Sequence, residues 1–218
     1  MPHSPGRIAL LSPDKPAMFD AALRPLIDRL LAPAGRYLAA LGVTPNQVTM
    51  IGAICGGMAA VMVAFGWFDI ALWLVLANRL ADGLDGAVAR AGHRSDFGGY
   101  LDIVADFVFY SAIPFAFAVA GPANALAAAF LIFSFIGTAS SFLAYAILAE
   151  KHHVTTDIRG AKSFYYLGGL TEGGETILLF LVMLVWPTWF IWLAWGFGCL
   201  CWITTAMRIH AAFRQFAG

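Results

Sequence analysis

Apolar stretches long enough to cross a bilayer recur six times along this chain. A transmembrane helix needs about 20 consecutive, mainly apolar residues, and stretches of this kind are found at 46–66, 69–90, 98–120, 122–149, 164–186 and 188–211. With 61% hydrophobic and 12% charged residues over 218 positions, the chain is too apolar for one soluble domain. The pattern predicts an all-α, polytopic membrane protein with six transmembrane helices over 46–211.

The segment before the first apolar stretch has a different pattern. Over 18–42, leucines and an isoleucine at helical spacing are interleaved with arginines. This pattern is typical of an amphipathic helix that lies in the membrane interface, and an ordinary packed helix is the alternative. Residues 1–17 contain only a short apolar run between prolines, too short for a signal peptide. We therefore expect a flexible N-terminal tail at 1–17, followed by one membrane domain over 18–218.

The basic residues are distributed unequally between the two predicted sides of the membrane. The short turns after the first, third and fifth apolar stretches contain no Lys or Arg, whereas the opposite ends carry most of the basic side chains. Basic loops stay on the cytoplasmic side of a membrane. Both termini, together with the end of the bundle that holds residues 82–106, are predicted to be cytoplasmic.

Four aspartates interrupt the second and third apolar stretches: Asp82, Asp85, Asp102 and Asp106. A carboxylate at the bilayer centre costs about 2.5–3.5 kcal/mol unless a cation or water accepts it. Spacings of three and four residues place each pair on one helix face, and two antiparallel helices would bring both pairs to a similar depth, about 6–12 Å from the helix ends. Oxygen ligands favour one or two Mg²⁺ or Mn²⁺ ions, and Mg²⁺ usually joins carboxylates to substrate phosphates.

Small residues lie beside these carboxylates on the second helix. Gly83, Gly86 and Ala89 would let a flat or phosphorylated ligand approach the helix backbone, with Gly86 as the contact point. Arg90 ends the helix, where its guanidinium could clamp a diphosphate. For Gly83 and Ala89, close packing against another helix is the alternative.

The order of these residues resembles the signature of the CDP-alcohol phosphatidyltransferase family. The matching order is Asp82-x-x-Asp85-Gly86-x-x-Ala89-Arg90, seven further residues, then Gly98-x-x-x-Asp102-x-x-x-Asp106. The resemblance extends to six helices preceded by a surface helix and to Thr44-Pro45-Asn46 at the start of the first stretch. It covers most of the chain and implies a multi-pass protein of a bacterial-type inner (plasma) membrane.

The resemblance implies transfer of a phosphatidyl group from a CDP-linked lipid, most simply CDP-diacylglycerol, to a hydroxyl acceptor with release of CMP. Asp82, Asp85 and Asp102 would hold Mg²⁺ or Mn²⁺, and Asp106 would both ligate metal and take the acceptor's proton as general base. The nucleotide and its diphosphate would contact Asp82, Asp85, Gly86, Ala89, Arg90 and Asn46. Capping of the first helix together with Thr44 is the alternative role for Asn46.

The resemblance also implies membrane lipids as partners and a homodimer packed through the third and fourth spans, and no nucleic-acid partner is expected.

The identity of the acceptor is open at this point. Members of the family that use glycerol phosphate or inositol phosphate usually carry a basic residue after the last aspartate, whereas this chain has Phe107; the apolar run after the motif looks more like the phosphatidylserine synthase branch. Candidate acceptor-binding residues are Arg159, Lys162, Glu172 and Glu175. The alternatives are anchoring of the two basic residues to anionic lipid heads and buried ion pairs of the two glutamates with Arg79 or Arg208.

Three other functions are alternatives to phosphatidyl transfer from a CDP-linked lipid. The head group of a soluble CDP-alcohol could be transferred to diacylglycerol, a reaction that product analysis would separate from the first. A cation transporter could use the aspartates as ligands, but it leaves Gly86, Ala89 and Arg90 unexplained. A metal-dependent prenyltransferase would release diphosphate rather than CMP.

Overall fold

The computed structural model describes residues 19–92, 94–152 and 170–217, and this part of the chain is helical without any strand. Its α-helices are α1 Phe19–Ala40, α2 Pro45–Ala64, α3 Phe68–Arg90, α4 Asp96–Ala120, α5 Ala125–Lys151, α6 Gly173–Val185 and α7 Phe190–Phe216. The predicted all-α class is confirmed. The predicted tail at 1–17 lies outside the described residues.

Four of the helical segments are long and apolar enough to cross a membrane. They are Pro45–Ala64, Asp96–Ala120, Pro122–Lys151 and Pro187–Phe216. Helix α3 has 23 residues but includes five charged side chains, and α6 has only 13 residues. The count of six transmembrane helices therefore stays a prediction.

The fifth predicted span, 164–186, was placed too early in the chain. Residues 170–172 are not helical, and α6 begins at Gly173. Thr171 and Glu172 are buried nevertheless. The apolar and glycine-rich sequence before α6 therefore packs inside the protein without being helical. Hydropathy alone cannot distinguish such an entry from the first turn of a helix.

Short turns make the first three predicted spans antiparallel neighbours. Thr44 caps α2 in a capping box with Gln47, and Gly66 adopts a left-handed φ of 75° in the turn to α3. The Ser95 hydroxyl accepts a hydrogen bond of 3.0 Å from the Gly98 amide at the start of α4. Since α3 ends and α4 begins at the same edge of the bundle, the residues around 82 and 106 come together.

Helix α1 packs across α3 through glycines. A Cβ on Gly35 would lie 2.6 Å from the Cβ of Ala87, and a Cβ on Gly83 would lie 2.6 Å from Leu31 Cδ1. The packing alternative for Gly83 is therefore supported. A helix is present where the interfacial helix over 18–42 was predicted, with Leu30 67% exposed; its position in the membrane interface stays a prediction.

The main hydrophobic core is built by residues of α2 to α7, and a smaller cluster lies around Val48, Ala81 and Val88. The largest fully buried side chains of the main core include Ile113, Phe117, Phe180 and Phe190, and the rings of Phe117 and Phe190 stack with centroids 4.2 Å apart. Helix α2 packs against α3 and α4, while α5 packs against α4 and α7. The polar site is thus held at one end of a bundle whose other end is closed by aromatic packing.

Candidate active site

The structure brings together three of the four aspartates in the sequence motif. Asp82 on α3 and Asp102 and Asp106 on α4 each offer a carboxylate oxygen, and these oxygens all lie within 4.8 Å of one another. Asp82 of α3 therefore converges with both aspartates of α4. All three residues are half-buried.

Asp85 faces the same cavity and has its own partner. It is buried, with 7% of its surface exposed, and its Oδ2 accepts a hydrogen bond of 2.6 Å from the Thr49 hydroxyl of α2. Burial of a carboxylate is costly unless it is hydrogen-bonded or paired, and Thr49 provides part of that compensation. Thr49 was not identified from the sequence.

Arg79 places a guanidinium among the carboxylates. Its Nη2 lies 2.9 Å from Asp106 Oδ1, and its Nη1 lies 3.7 Å from Asp82 Oδ2. From the sequence, Arg79 is expected only as a possible ion-pair partner of Glu172 or Glu175. Within the described residues, the carboxylates that form ion pairs with Arg79 are Asp82 and Asp106. The signal was present, since Arg79 lies three residues before Asp82 and hence on the same helix face.

Tyr110 lies beyond Asp106 on the same face of α4. Its hydroxyl donates a hydrogen bond of 3.4 Å to Asp106 Oδ2, so both oxygens of this carboxylate have a donor. A Cβ on Gly173 would lie 3.2 Å from the Tyr110 oxygen. The first turn of α6 therefore lies beside the side chain that contacts Asp106.

Most of these groups line one shared cavity. Its lining includes all four aspartates together with Thr49, Asn78 and Arg79. A set of carboxylate oxygens, without thiol or imidazole among the described lining residues, matches the donor preference of Mg²⁺ and Mn²⁺. The residues present thus fit a divalent cation of this class.

The predicted nucleotide contacts lie around the end of α3. Above Gly86, the nearest atom to an added Cβ is Arg90 Nη1 at 3.2 Å, so the guanidinium lies over the exposed backbone of the glycine. Arg90 Nη2 also pairs with Asp28 of α1 at 2.9 Å, and both side chains are partly exposed. Ala89 is half-buried on the same helix.

Asn46 lies against the start of α4. A Cβ on Gly98 would lie 2.9 Å from Asn46 Oδ1, so the glycine leaves room for this close approach. The alternative role as a cap of α2 is not what the structure shows, because Thr44 and Gln47 form the cap.

The predicted acceptor residues are only partly within the described chain. Arg159 and Lys162 lie outside it. Glu172 and Glu175 form a capping box at the start of α6, in which the Glu172 amide donates to Glu175 Oε2 at 3.2 Å. The two glutamates therefore begin a helix, which corrects their predicted location inside a span.

Arg208 of α7 lies near the same helix start. It is buried, its Nη1 donates to the Thr138 carbonyl at 3.0 Å, and it interacts electrostatically with Glu172. The alternative of a buried charge interaction between Arg208 and Glu172 is thereby supported.

Known proteins resemble this chain along most of its length. It is 51% identical over 197 residues to the inner membrane protein YnjF of Escherichia coli (strain K12), covering 90% of this chain and 96% of the relative. It is 30% identical over 159 residues to the CDP-diacylglycerol–serine O-phosphatidyltransferase of Helicobacter pylori (strain ATCC 700392 / 26695), covering 64% of this chain and 66% of that enzyme.

The fold is shared with solved structures of Mycobacterium tuberculosis phosphatidylinositol phosphate synthase. The structure with CDP-DAG bound has a TM-score of 0.68 at 22% identity, covering 85% of this chain and 94% of the other. The complex with manganese and citrate has a TM-score of 0.67 at 22% identity, covering 84% and 88%. The family model described as CDP-alcohol phosphatidyltransferase matches residues 42–206, and the chain belongs to this family of membrane enzymes of phospholipid synthesis.

Proposed function

We propose that this chain transfers a phosphatidyl group from CDP-diacylglycerol to a hydroxyl acceptor and releases CMP. The observation that carries the proposal is the convergence of Asp82, Asp102 and Asp106, whose carboxylate oxygens lie within 4.8 Å of one another. The mycobacterial enzyme of the same fold was solved with CDP-DAG bound, which supports a CDP-linked lipid as donor.

Asp82, Asp102 and Asp106 would hold the divalent cation, with Asp85 as a further ligand on the cavity wall. The mycobacterial enzyme was also solved with manganese, in agreement with the proposed use of Mn²⁺ or Mg²⁺. A bound ion would neutralise charge on the diphosphate and stabilise CMP as the leaving group.

Asp106 is the proposed general base. The acceptor oxygen attacks the phosphorus distal to cytidine, its proton passes to Asp106, and the diphosphate P–O bond breaks with its electron pair leaving on CMP. Arg79 and Tyr110 contact the two oxygens of Asp106 and so fix its orientation toward the incoming hydroxyl. A general base of this kind contributes about 10²–10⁴-fold to the rate.

Gly86, Ala89, Arg90 and Asn46 are the proposed contacts of the nucleotide and its diphosphate. Arg90 pairs with Asp28 at the protein surface, and an exposed ion pair contributes only about 0–1 kcal/mol. The guanidinium can therefore leave Asp28 at low cost and turn to a phosphate. Gly86 leaves the α3 backbone accessible beside it.

The start of α6 is the proposed acceptor region. Glu172 and Glu175 lie there, and Gly173 approaches Tyr110, which contacts Asp106. Arg159 and Lys162 would complete the region from the preceding segment. By their names, one of the two enzymes above transfers the phosphatidyl group to serine and the other synthesises phosphatidylinositol phosphate. Phe107 favours serine over a phosphorylated acceptor as the first hypothesis to test.

The proposed membrane arrangement adds α3 and α6 to the four apolar spans, which gives six transmembrane helices, with α1 lying in the interface. Both termini and the aspartate cavity would face the cytoplasm from the inner membrane, and residues 18–218 would form one domain after a flexible tail. The name of the E. coli relative supports this membrane. A homodimer packed through α4 and α5 is part of the proposal.

CMP release by the purified protein tests the reaction. CDP-diacylglycerol and Mn²⁺ or Mg²⁺ are supplied with serine, glycerol 3-phosphate, inositol phosphate, inositol or phosphatidylglycerol. We expect one acceptor to stimulate CMP release in the wild type and in Asp69→Asn, an aspartate at the opposite end of α3, but not in Asp106→Asn. Release only from a soluble CDP-alcohol with diacylglycerol would favour the head-group reaction, and failure to bind any cytidine nucleotide would refute both.

A further inference from the structure

We propose that Thr204 is a positioning residue for the acceptor side of the active site. Its hydroxyl holds the non-helical segment 170–172 on α7, and this segment sets how close the first turn of α6 lies to Tyr110 and Asp106. The inference rests on the proposed function, because it assumes that Asp106 takes the proton of the acceptor. It goes beyond that function by giving a role to α7, a helix that contributes none of the described residues lining the aspartate cavity.

The Thr204 hydroxyl is the attachment point of the segment. It accepts hydrogen bonds of 3.1 Å from the Leu170 amide and 3.0 Å from the Thr171 hydroxyl, and the Thr204 side chain is fully buried. Residues 170–172 are not helical, so a helix does not supply acceptors for their amides. Inside a membrane protein each such amide needs another acceptor, and Thr204 supplies it for Leu170.

A second side chain of α7 fixes the register of the segment. Arg208 lies four residues after Thr204 and hence on the same helix face, and it interacts electrostatically with Glu172. Both Thr171 and Glu172 are buried. Neighbouring residues of the segment are thus held by successive turns of α7. Sliding of the segment along α7 would separate buried polar groups from these partners, which is costly.

The segment leads directly to the side chains beside the proposed general base. Gly173 follows Glu172 as the first residue of α6, and a Cβ at this position would lie 3.2 Å from the Tyr110 oxygen. The ring of Phe180, on the same helix, lies 6.3 Å from the Tyr110 ring between centroids. Because Tyr110 donates a hydrogen bond to Asp106 Oδ2, a shift of the start of α6 would be transmitted to Tyr110 and then to Asp106.

The nucleotide side of the proposed site is built from other helices. Its proposed contacts are on α2 and α3, at Asn46, Gly86, Ala89 and Arg90. A general base must lie within hydrogen-bond reach of the proton that it takes, and a displacement of about 1 Å can cost about 10²-fold in rate. Loss of the Thr204 hydroxyl should therefore impair use of the acceptor and leave binding of CDP-diacylglycerol unchanged.

Hydrogen–deuterium exchange tests the attachment of the segment without any turnover. Thr204→Val keeps the shape of the side chain but removes the acceptor, whereas Thr204→Ser keeps the hydroxyl. Thr205→Val is the matched control, because the Thr205 side chain is also buried but donates to the Cys201 carbonyl of its own helix. We expect the amides of 170–176 to exchange about 10-fold faster in Thr204→Val, as for the loss of one or two hydrogen bonds, and at the wild-type rate in the other two variants.

Steady-state CMP release gives the second readout, with CDP-diacylglycerol, Mn²⁺ and whichever acceptor of the panel stimulates release in the wild type. We expect Thr204→Val to lower kcat/KM for the acceptor by about 10–100-fold while the KM for CDP-diacylglycerol stays unchanged. Thr204→Ser should recover most of the loss, and Thr205→Val should stay close to the wild type. A merely structural defect would reduce the amount of folded enzyme and would affect both substrates equally.

Unchanged exchange of 170–176 in Thr204→Val, or an equal loss for both substrates, would overturn the inference. Should Thr204→Val fail to fold, Thr171→Val removes only one of the two hydrogen bonds and must show the same selective loss for the acceptor. The proposed function fails separately. A wild type that releases CMP with none of the acceptors would remove the reaction and the acceptor role together, while the exchange rates would still decide whether Thr204 holds the segment.

Discussion

Thr49 and Asp85 are joined across α2 and α3 by a hydrogen bond of 2.6 Å. The carboxylate is 7% exposed, so loss of the donor leaves a buried oxygen without it. We expect Thr49→Val to weaken Mn²⁺ binding or CMP release by about 10–100-fold, the usual effect of removing a side chain that orients a metal ligand. Thr49→Ser keeps the hydroxyl and should stay close to the wild type. Equal Mn²⁺ titrations for the Val and Ser variants would show that Asp85 does not act at the metal.

Arg90 and Asp28 form one ion pair but should differ in function. Loss of either partner removes an exposed interaction, at about 0.2–1 kcal/mol of unfolding free energy. We expect Arg90→Ala to raise the KM for CDP-diacylglycerol strongly, because it also removes the proposed phosphate contact, while Asp28→Asn leaves the KM unchanged or lowers it. The measurement is the KM of each variant beside its thermal unfolding in detergent. Equal increases of KM in both variants would indicate that the ion pair itself is what matters.

Gly86 should be required for nucleotide binding rather than for folding. An added Cβ would meet the flexible end of Arg90 at 3.2 Å, and Ala is favoured over Gly inside a helix by about 1 kcal/mol. We therefore expect Gly86→Ala to fold at least as well as the wild type but to bind CDP-diacylglycerol more weakly. Gly57→Ala on α2, where no atom in the described part of the chain lies within 4 Å of the added Cβ, is the matched control and should keep full affinity. Unchanged affinity in Gly86→Ala would exclude a close approach of the nucleotide to this backbone.

The positions of the helices could be predicted well from the sequence where hydropathy and turn residues agree. The stretch 69–90 became Phe68–Arg90 and 98–120 became Asp96–Ala120. The entry to α6 was misplaced because Thr171 and Glu172 are buried without being helical. Apolar composition indicates that a segment is buried, but a buried segment need not be helical.

The aspartates of the candidate site could be predicted because residues three and four apart share a helix face. The side chains that pair with those aspartates could not be predicted. The contact from Thr49 to Asp85 depends on the axial register of α2 against α3, which no local pattern specifies. Arg79 lies on the predicted helix face. Whether it forms an ion pair with Asp106 or with the glutamates of α6 depends on which helices are neighbours.

Two glycines of α7 should respond oppositely to alanine, because only one of them faces another helix. A Cβ on Gly198 would lie 2.5 Å from Phe130 Cε1, and the Phe130 ring is stacked on Trp195 at 4.3 Å, so it has little room to retreat. Gly196, two residues earlier, has no atom of the described residues within 4 Å of an added Cβ.

We expect Gly198→Ala to lower the unfolding free energy by about 1–3 kcal/mol through overpacking and Gly196→Ala to raise it by up to about 1 kcal/mol through helix propensity. Unfolding of both variants in the same detergent provides the measurement. Phe130→Leu combined with Gly198→Ala should recover part of the loss, since the smaller side chain vacates the contact. If Gly198→Ala were as stable as Gly196→Ala, helices α5 and α7 would have to lie farther apart than the structure places them.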